Sequence, residues 1–439
     1  MTRPAEASDL RTWAYVGVNS FGGPAGQIAV LHRVVVEERR WIDDQRFLHA
    51  LNFCMLLPGP EAMQLATYLG WLRGGLRGGL TAGALFVAPG AVVMLALSAA
   101  YVTLGDVDAV AGLLFGIQAA VVAIIAQAVV RIGSRALNSA TAVAVAVVTF
   151  LAIYFLAVPF AVVVVLALLL GAVLSGRPGL LVTAVADDSE PEQVTGEAAR
   201  RTRWVAAGAF VAWVLPTGLL LVTLGTANVF TQEAVVFSQA AVLAFGGAYA
   251  VLGFVTQQAV QNYGWVSTDT MVTGLGLAET TPGPLILVCQ FVGFVAAYEA
   301  APGGLPPLVA GVLGSVLTLW VLFLPSFFLV LAGAPYVERL RHNRTVAGAL
   351  AAVTAAVVGV IAELGTWFAV NVLFGEVEES RDGVLRVLRP VWSSLDLWAL
   401  AVTVLGAVLV FGLRWSVLRV VVACGAVGLL LAVTGLHAG

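Results

Sequence analysis

The sequence predicts an all-α polytopic membrane protein with two inverted-topology repeats and Pro/Gly-broken re-entrant helices. Three observations predict this fold: the composition is strongly apolar, a 40-residue block occurs twice, and each copy carries Gly and Pro inside apolar segments. A broken backbone is costly in lipid unless it lines a cavity or lies buried in protein. Paired breaks in two halves are therefore the best sequence indication of a transporter's binding site.

Composition assigns the class of protein. Hydrophobic residues make up 60% of the 439 residues and charged residues 11%, and the mean hydropathy is +0.97. These values indicate an integral protein of the lipid bilayer. The net charge of −3 predicts no nucleic-acid partner. Cys54, Cys289 and Cys424 are far apart in the chain, so we expect no disulfide, no metal site and no cofactor.

The duplicated block runs from Phe21 to Pro60 and again from Phe245 to Pro284. Each copy begins with Phe-Gly-Gly, has a Trp 20 residues later and ends in Pro-Gly-Pro, and equivalent positions are 224 residues apart throughout. Because no gap is needed to align the two copies, the pattern indicates an internal duplication.

The arginines orient the first half. The stretch from His32 to Arg46 carries four arginines, and the next apolar segment, Phe47–Trp71, leads to Arg73 and Arg77. Both basic stretches are predicted to be cytoplasmic. If each apolar segment crossed the membrane fully, the four-arginine stretch would lie outside. We therefore predict two re-entrant, broken segments and a cytoplasmic N-terminus.

The remaining spans of the first half follow from apolar length. Leu80–Val102 is predicted to lead outside, and Ala109–Val130 is predicted to return to the basic side. The run Ala140–Leu174 is too long for one span and has Pro159 near its middle. It therefore predicts a hairpin of two spans.

The domain organisation follows from the two copies. Residues 1–176 are predicted to form the N-terminal transporter repeat, residues 177–203 a cytoplasmic linker, residues 204–230 a connecting transmembrane helix, and residues 231–439 the C-terminal transporter repeat. Because the connecting helix is a single span, it inverts the second repeat relative to the first.

The second repeat adds four spans, predicted at Leu305–Ala332, Val346–Phe374, Leu397–Leu413 and Val417–Leu436. The first of them ends at a basic cluster, Arg339, Arg341 and Arg344, which is predicted to be cytoplasmic. This order places the loop 376–392 outside, although it carries three arginines. The predicted total is nine full spans and four broken segments.

The doubled motif set resembles a known family. The motifs are Phe21-Gly22-Gly23-Pro24-Ala25, Leu57-Pro58-Gly59-Pro60-Glu61, Phe245-Gly246-Gly247 and Thr280-Thr281-Pro282-Gly283-Pro284. Together they resemble the chromate ion transporter family in its long, two-domain form, over nearly the whole chain. The resemblance implies a secondary active transporter, not an enzyme, that exports chromate from the cytoplasm by proton antiport across the plasma (inner) membrane of a prokaryote. Import of sulfate or another oxyanion is the alternative within transport.

The breaks suit a tetrahedral dianion. After each Pro-Gly-Pro the next half-helix starts with unpaired N–H groups and about half a positive charge. These donors are predicted from Glu61 to Gln64 and from Leu285 to Val288. The substrate-binding candidates are Gly22, Gly23, Asn52, Pro58, Gly59, Pro60, Gln64, Gly246, Gly247, Thr280, Thr281, Pro282, Gly283, Pro284 and Gln290. Two alternatives stay open: the prolines only kink packed helices, or the glycine pairs only allow close helix packing instead of forming a donor nest.

Few ionisable residues lie near the breaks, and these are the candidates for proton coupling. Glu61 follows the first Pro-Gly-Pro, Glu279 precedes the second, and His32 lies at the cytoplasmic mouth beside Arg33, which is predicted to gather anions. A carboxyl on the anion path would be protonated when the anion is bound and ionised when it leaves, which would couple proton binding to anion binding. The alternatives are a charge that stabilises its own helix N-terminus at Glu61 and a solvated topogenic charge at Arg33.

A membrane-embedded enzyme is the alternative class of function. The sequence offers no Ser/His/Asp pattern, metal-ligand cluster or P-loop, and its histidines are only His32, His49, His342 and His437. The expected partners are the oxyanion, protons and the bilayer. A homodimer is compatible with the duplication but is not required by it, because one chain already supplies two equivalent arms.

The inverted topology is testable by labelling. A single cysteine placed at Arg39 should react with an impermeant reagent from the cytoplasmic side, and one placed at Asn262 should react from outside, because the two loops are equivalent in oppositely oriented repeats. Labelling of both positions from the same side would contradict the inversion.

Overall fold

The chain is almost entirely helical. The computed structural model describes residues 7–105, 107–176, 196–245, 248–333, 344–383 and 385–436, and among them 16 α-helices. Five of the described helices are long and apolar enough to cross a membrane, by length and composition, and six shorter ones are apolar. The predicted all-α polytopic class is therefore confirmed. The inverted orientation of the two repeats stays a prediction.

The helices have the following bounds. In the first half they are α1 (Ala7–Asn19), α2 (Gly23–His32), α3 (Asp44–Leu56), α4 (Glu61–Leu104), α5 (Asp108–Ala136), α6 (Ala140–Leu156) and α7 (Phe160–Leu174). In the second half they are α8 (Gly196–Leu224), α9 (Val229–Leu243), α10 (Ala248–Thr256), α11 (Thr268–Thr280), α12 (Val288–Ala300), α13 (Pro307–Gly333), α14 (Arg344–Leu373), α15 (Leu397–Ala407) and α16 (Val417–Val433).

The sequence duplication recurs in the backbone. Helix α3 and helix α11 begin and end at positions 224 residues apart, and so do the π-helical turns Arg33–Glu38 and Gln257–Asn262 that precede them. The loop hydrogen bonds recur as well: Trp41 N–H donates to the carbonyl of Val35 over 2.8 Å, and Trp265 N–H donates to that of Ala259 over 2.7 Å. The two copies therefore adopt the same local structure.

The predicted breaks lie where Gly and Pro interrupt the apolar segments. Helix α1 ends at Asn19 and α2 starts at Gly23. Gly22, which lies between the two helices, has φ 85°, and Gly23, the first residue of α2, has φ 68°. The first Pro-Gly-Pro separates α3 from α4, because Pro58 and Pro60 have no N–H to donate and Gly59 adopts φ 129°, which favours glycine.

Helix α4 is a helical hairpin. Its backbone leaves the helical conformation at Gly74 and Gly75, and a Cβ built on Gly70 would clash with the carbonyl of Gly78. Eight residues of straight helix span about 12 Å, so this close approach requires the chain to reverse. The predicted span Leu80–Val102 lies in the second arm, 76–104. In the second copy α12 and α13 form the same hairpin, with Gly293 and Gly314 in close contact.

The predicted 140–174 hairpin is present as a break between α6 and α7. Ala157 caps α6 at φ 50°, and Pro159 precedes α7. Helix α8 begins at Gly196, inside the predicted linker 177–203, since the segment that follows is rich in helix-forming Glu, Ala and Arg. Residues 177–195 lie outside the described residues, as does most of the basic cluster at Arg339, Arg341 and Arg344.

One element was not predicted. The loop 376–392 contains a β-hairpin, in which β1 (Val377–Asp382) pairs antiparallel with β2 (Leu385–Pro390). Gly383 turns the chain at φ 65°, and Glu379 pairs with Arg386 over 3.2 Å. In the register of the two strands Glu378 is opposite Arg389, an opposite-charge pair across the hairpin.

The chain divides into two compact units, and each combines segments of both repeats. Unit 1 contains the described residues within 1–96, 184–251 and 281–347. Unit 2 contains those within 97–183, 252–280 and 348–439. The fully buried aromatic core of unit 1 is formed by Phe47, Phe53, Phe86, Phe237, Phe291 and Phe294, and that of unit 2 includes Phe368. Both Pro-Gly-Pro breaks belong to unit 1.

The hairpin of α4 predicts a steric effect. Gly70→Ala should lower the free energy of unfolding in detergent by about 1–3 kcal/mol, because the added Cβ overlaps the facing backbone. Gly208→Ala on α8 is the matched control, since a Cβ there meets nothing within 4 Å. The control should be neutral or stabilising. Equal thermal midpoints for the two variants would contradict the hairpin.

Candidate functional site

Each Pro-Gly-Pro break is bonded to the chain that precedes the other copy's Phe-Gly-Gly. Gly59 N–H donates to the carbonyl of Ala244 over 2.9 Å, and Gly283 N–H donates to the carbonyl of Ser20 over 2.8 Å. Gly59 and Gly283 are equivalent positions in the duplication, and so are Ser20 and Ala244. The two bonds are therefore the same bond made twice, and each copy completes the break of the other. We call these two bonds the crossed glycine bonds.

Two buried glutamines each donate a hydrogen bond to one backbone carbonyl of a break. Gln27, at 2% exposure, donates its Nε2–H to the carbonyl of Gly283 over 2.6 Å. Gln64, which is fully buried, donates to the carbonyl of Pro58 over 2.7 Å. A free carbonyl beside an anion would repel it, and these two bonds each pair one carbonyl of a break.

The breaks are closely packed by the long helices of the two hairpins. A Cβ built on Gly90 in α4 would clash with the carbonyl of Pro282, and one built on Gly59 would lie 2.5 Å from Ser326 Oγ in α13. A Cβ built on Gly283 would meet its nearest neighbours, Leu287 Cδ1 and the carbonyl of Phe86, at an ordinary contact distance of 3.5 Å, but its φ of 94° still favours glycine. The positive φ therefore favours glycine at both central positions. At Gly59 the close contact with Ser326 also leaves no room for a side chain.

The helix N-termini after the breaks carry the predicted donors, over a shorter range than we predicted. Gln64 N–H already donates to the carbonyl of Pro60 over 3.0 Å, and Leu287 N–H donates to that of Pro284 over 3.0 Å. These are the first backbone hydrogen bonds of each helix. The N–H groups that remain available as donors are therefore those of residues 61–63 in the first copy and 285–286 in the second. Both termini keep the positive end of a helix dipole.

The other substrate-binding candidates lie in different surroundings. Gln290 is buried at 1% exposure and donates to Ser315 Oγ and to the carbonyl of Ala91, both over 2.9 Å. Thr281 is buried, and Thr280 Oγ1 donates to the carbonyl of Leu277 over 2.8 Å. Asn52 is exposed on α3, unlike the buried candidates Gln290 and Thr281. Gly246 and Gly247 lie outside the described residues.

The proton-coupling and anion-gathering candidates divide into buried and surface groups. Glu61 is the first residue of α4 and is half-buried, and Glu279 is buried at the end of α11 in unit 2. His32 contacts Asp44 over 2.6 Å and Glu37 over 3.2 Å. Arg33 pairs with Glu38 over 3.5 Å. His32 and Arg33 thus contact separate surface carboxylates, at the start of the π-helical turn.

Sequence reasoning missed Gln27 and Ser326, which the structure brings to the breaks, and it missed Glu233 on α9. An isolated polar residue inside an apolar helix is the signal that was available for each. Glu363 lines a cavity of unit 2 together with Arg386 and Gln257. Within the described ranges, no three His, Cys, Asp or Glu side chains are grouped as metal ligands.

Comparison with known proteins gives the family. The model of the family described as chromate transporter matches residues 9–172 and 231–429. A chromate transport protein of Pseudomonas aeruginosa is 33% identical over 386 residues, which is 82% of this chain and 83% of the relative. A probable chromate transport protein of Synechococcus elongatus is 26% identical over 364 residues, covering 80% of this chain and 82% of the relative.

An uncharacterized transporter of Methanocaldococcus jannaschii is 23% identical over 369 residues, covering 84% of this chain and 86% of the relative. No solved structure matches the chain significantly. The family match covers both copies of the duplicated block and most of the chain around them. The protein is therefore an integral membrane protein of the chromate transporter family, which is a family of transporters and not of enzymes.

Proposed function

We propose that the protein exports chromate from the cytoplasm in exchange for protons, and that the oxyanion binds at the paired helix N-termini after the two Pro-Gly-Pro breaks. The observation that carries the proposal is the pair of crossed glycine bonds. These bonds hold both breaks in one compact unit. Family membership supports chromate as the substrate, because the relatives include chromate transport proteins.

Backbone donors suit an anion that must be released again. Each helix N-terminus offers N–H groups and about half a positive charge, so two termini supply about one unit of positive charge without a buried arginine. A dianion held in this way keeps part of its charge uncompensated. It is therefore bound through several hydrogen bonds, yet its release does not require breaking a buried ion pair.

The asymmetry of the two breaks fits a proton role for Glu61. In the first copy, Glu61 follows Pro60 directly, whereas the equivalent position in the second copy is Leu285. An ionised carboxyl at the first position of α4 competes with the oxyanion for the same donors. Its protonation removes that competition, so the protonation state of this residue changes the affinity of the site for the anion.

Sulfate is the second candidate substrate, since it has the same tetrahedral shape and charge as chromate. Flux of radioactive chromate and sulfate in proteoliposomes, with and without an imposed pH gradient, tests the proposal. We expect gradient-driven chromate accumulation that exceeds that of sulfate. Accumulation of sulfate alone would assign the site to sulfate, and flux that ignores the gradient would contradict proton exchange.

Substitution of the central glycines separates an anion site from simple kinks. Gly59→Leu and Gly283→Leu should each weaken chromate binding to purified protein by about tenfold or more, because a hydrogen bond to a charged group contributes about 1.5–3 kcal/mol. Gly208→Leu on α8 is the control and should bind normally. Unchanged binding in the double variant Gly59→Leu/Gly283→Leu would mean that the breaks only kink the helices.

Replacement of Glu61 tests the proton role separately. Glu61→Gln keeps the backbone donors but removes the titrating group, so chromate binding should change by less than about tenfold, the equivalent of 1.4 kcal/mol. The pH dependence of transport should flatten. Transport by Glu61→Gln that keeps the full pH dependence of the unsubstituted protein would assign coupling to another residue.

A further inference from the structure

Glu233 is a carboxyl without a partner in the core of unit 1. It lies in the second turn of α9 and its exposed fraction is 0%. Neither Oε1 nor Oε2 has a hydrogen-bond partner among the residues that the structure describes. Buried carboxylates in proteins are ordinarily paired with a cation or hydrogen-bonded to several donors. Its charge state therefore needs an explanation.

The duplication supplies a direct comparison. The residue 224 positions before Glu233 is Asp9 on α1. Asp9 is also buried, but it accepts two hydrogen bonds from Arg73, from Nε over 2.9 Å and from Nη2 over 3.1 Å. Arg73 lies 4.1 Å from the ring centre of Trp41. In the first copy the carboxylate thus has a fixed counter-ion.

The second copy lacks this cation. The position equivalent to Arg73 is Ala297, which is fully buried. Each carboxyl lies near a hairpin glycine: Asp9 lines a cavity with Gly78, and Glu233 Oε2 lies 3.0 Å from a Cβ built on Gly314. Gly78 and Gly314 are the close-contact glycines of the two hairpins. The second copy therefore has the carboxyl without the counter-ion.

The elements around Glu233 offer no substitute charge. Helices α8, α12 and α13 pack against α9. Neither α13 nor residues 204–224 of α8 contains a titratable side chain, and on α12 these are Cys289, Tyr298 and Glu299. Glu299 is exposed at the end of its helix. An ionised Glu233 would therefore have neither a cation nor a donor, and the neutral acid is strongly favoured.

We propose that Glu233 is a proton-binding site of the transport cycle, distinct from the anion site at the breaks. This inference rests on the proposed proton exchange. Glu233 holds a proton while it is sealed in unit 1, and it gives that proton to water when water reaches it, leaving a carboxylate and a hydronium ion. Glu233 lies 11 residues from Ala244 on the same helix, or about 16 Å along it.

Infrared spectroscopy on purified protein tests whether Glu233 holds a proton. At neutral pH the protein should show the carbonyl stretch of a protonated carboxyl, and part of that band should be lost in Glu233→Gln. Glu299→Gln, which removes an exposed carboxyl, is the matched control and should keep the band. Glu233→Asp should keep a band at a shifted frequency. A band of unchanged intensity in Glu233→Gln would overturn the proposal.

Flux in proteoliposomes tests whether that proton is transported. Glu233→Gln should lose accumulation of chromate driven by a pH gradient and should keep exchange of internal for external chromate, which needs no net proton movement. Accumulation equal to that of the unsubstituted protein would overturn a role in the cycle. If the unsubstituted protein moves no oxyanion, the proposed function fails, whereas the infrared result still decides whether Glu233 binds a proton.

Discussion

The crossed glycine bonds are the constraint on which unit 1 depends. A Pro-Gly-Pro break has two residues that cannot donate and one that can, so its single central N–H must find an acceptor. In both copies that acceptor is the carbonyl just before the other copy's Phe-Gly-Gly, at Ala244 and at Ser20. Each Pro-Gly-Pro break therefore depends on the residue that precedes the other copy's Phe-Gly-Gly.

The two copies share a backbone but differ in their polar side chains. Gln27 and Gln64 serve the breaks, and the equivalent positions in the second copy are Val251 and Val288. Asp9 has its arginine, whereas Glu233 does not. Under the proposed function, such a symmetric framework with asymmetric side chains would hold one oxyanion between two similar termini while its titratable groups differ in their affinity for protons.

The sequence was most informative where local chemistry decides the structure. The breaks at residues 21–23, 58–60 and 282–284 were predictable because Gly and Pro constrain the backbone directly. The partner of Gly59 was not, because Ala244 is distant in the chain and carries no distinctive side chain. That Glu233 has no partner could not be predicted, because this requires knowing its burial in the structure. The strands at 377–390 depend on a pairing of residues that the charge composition does not indicate.

Neither compact unit is encoded by one half of the chain, since each takes segments from before and after residues 177–203. Synthesis of the first half alone would leave Gly59 N–H without its acceptor and the core of unit 1 without Phe237, Phe291 and Phe294. The halves must therefore fold by association, as subunits of a dimer do. A chain cut between the halves would function only when both pieces are made together. The covalent link therefore acts by raising the local concentration of each half near the other.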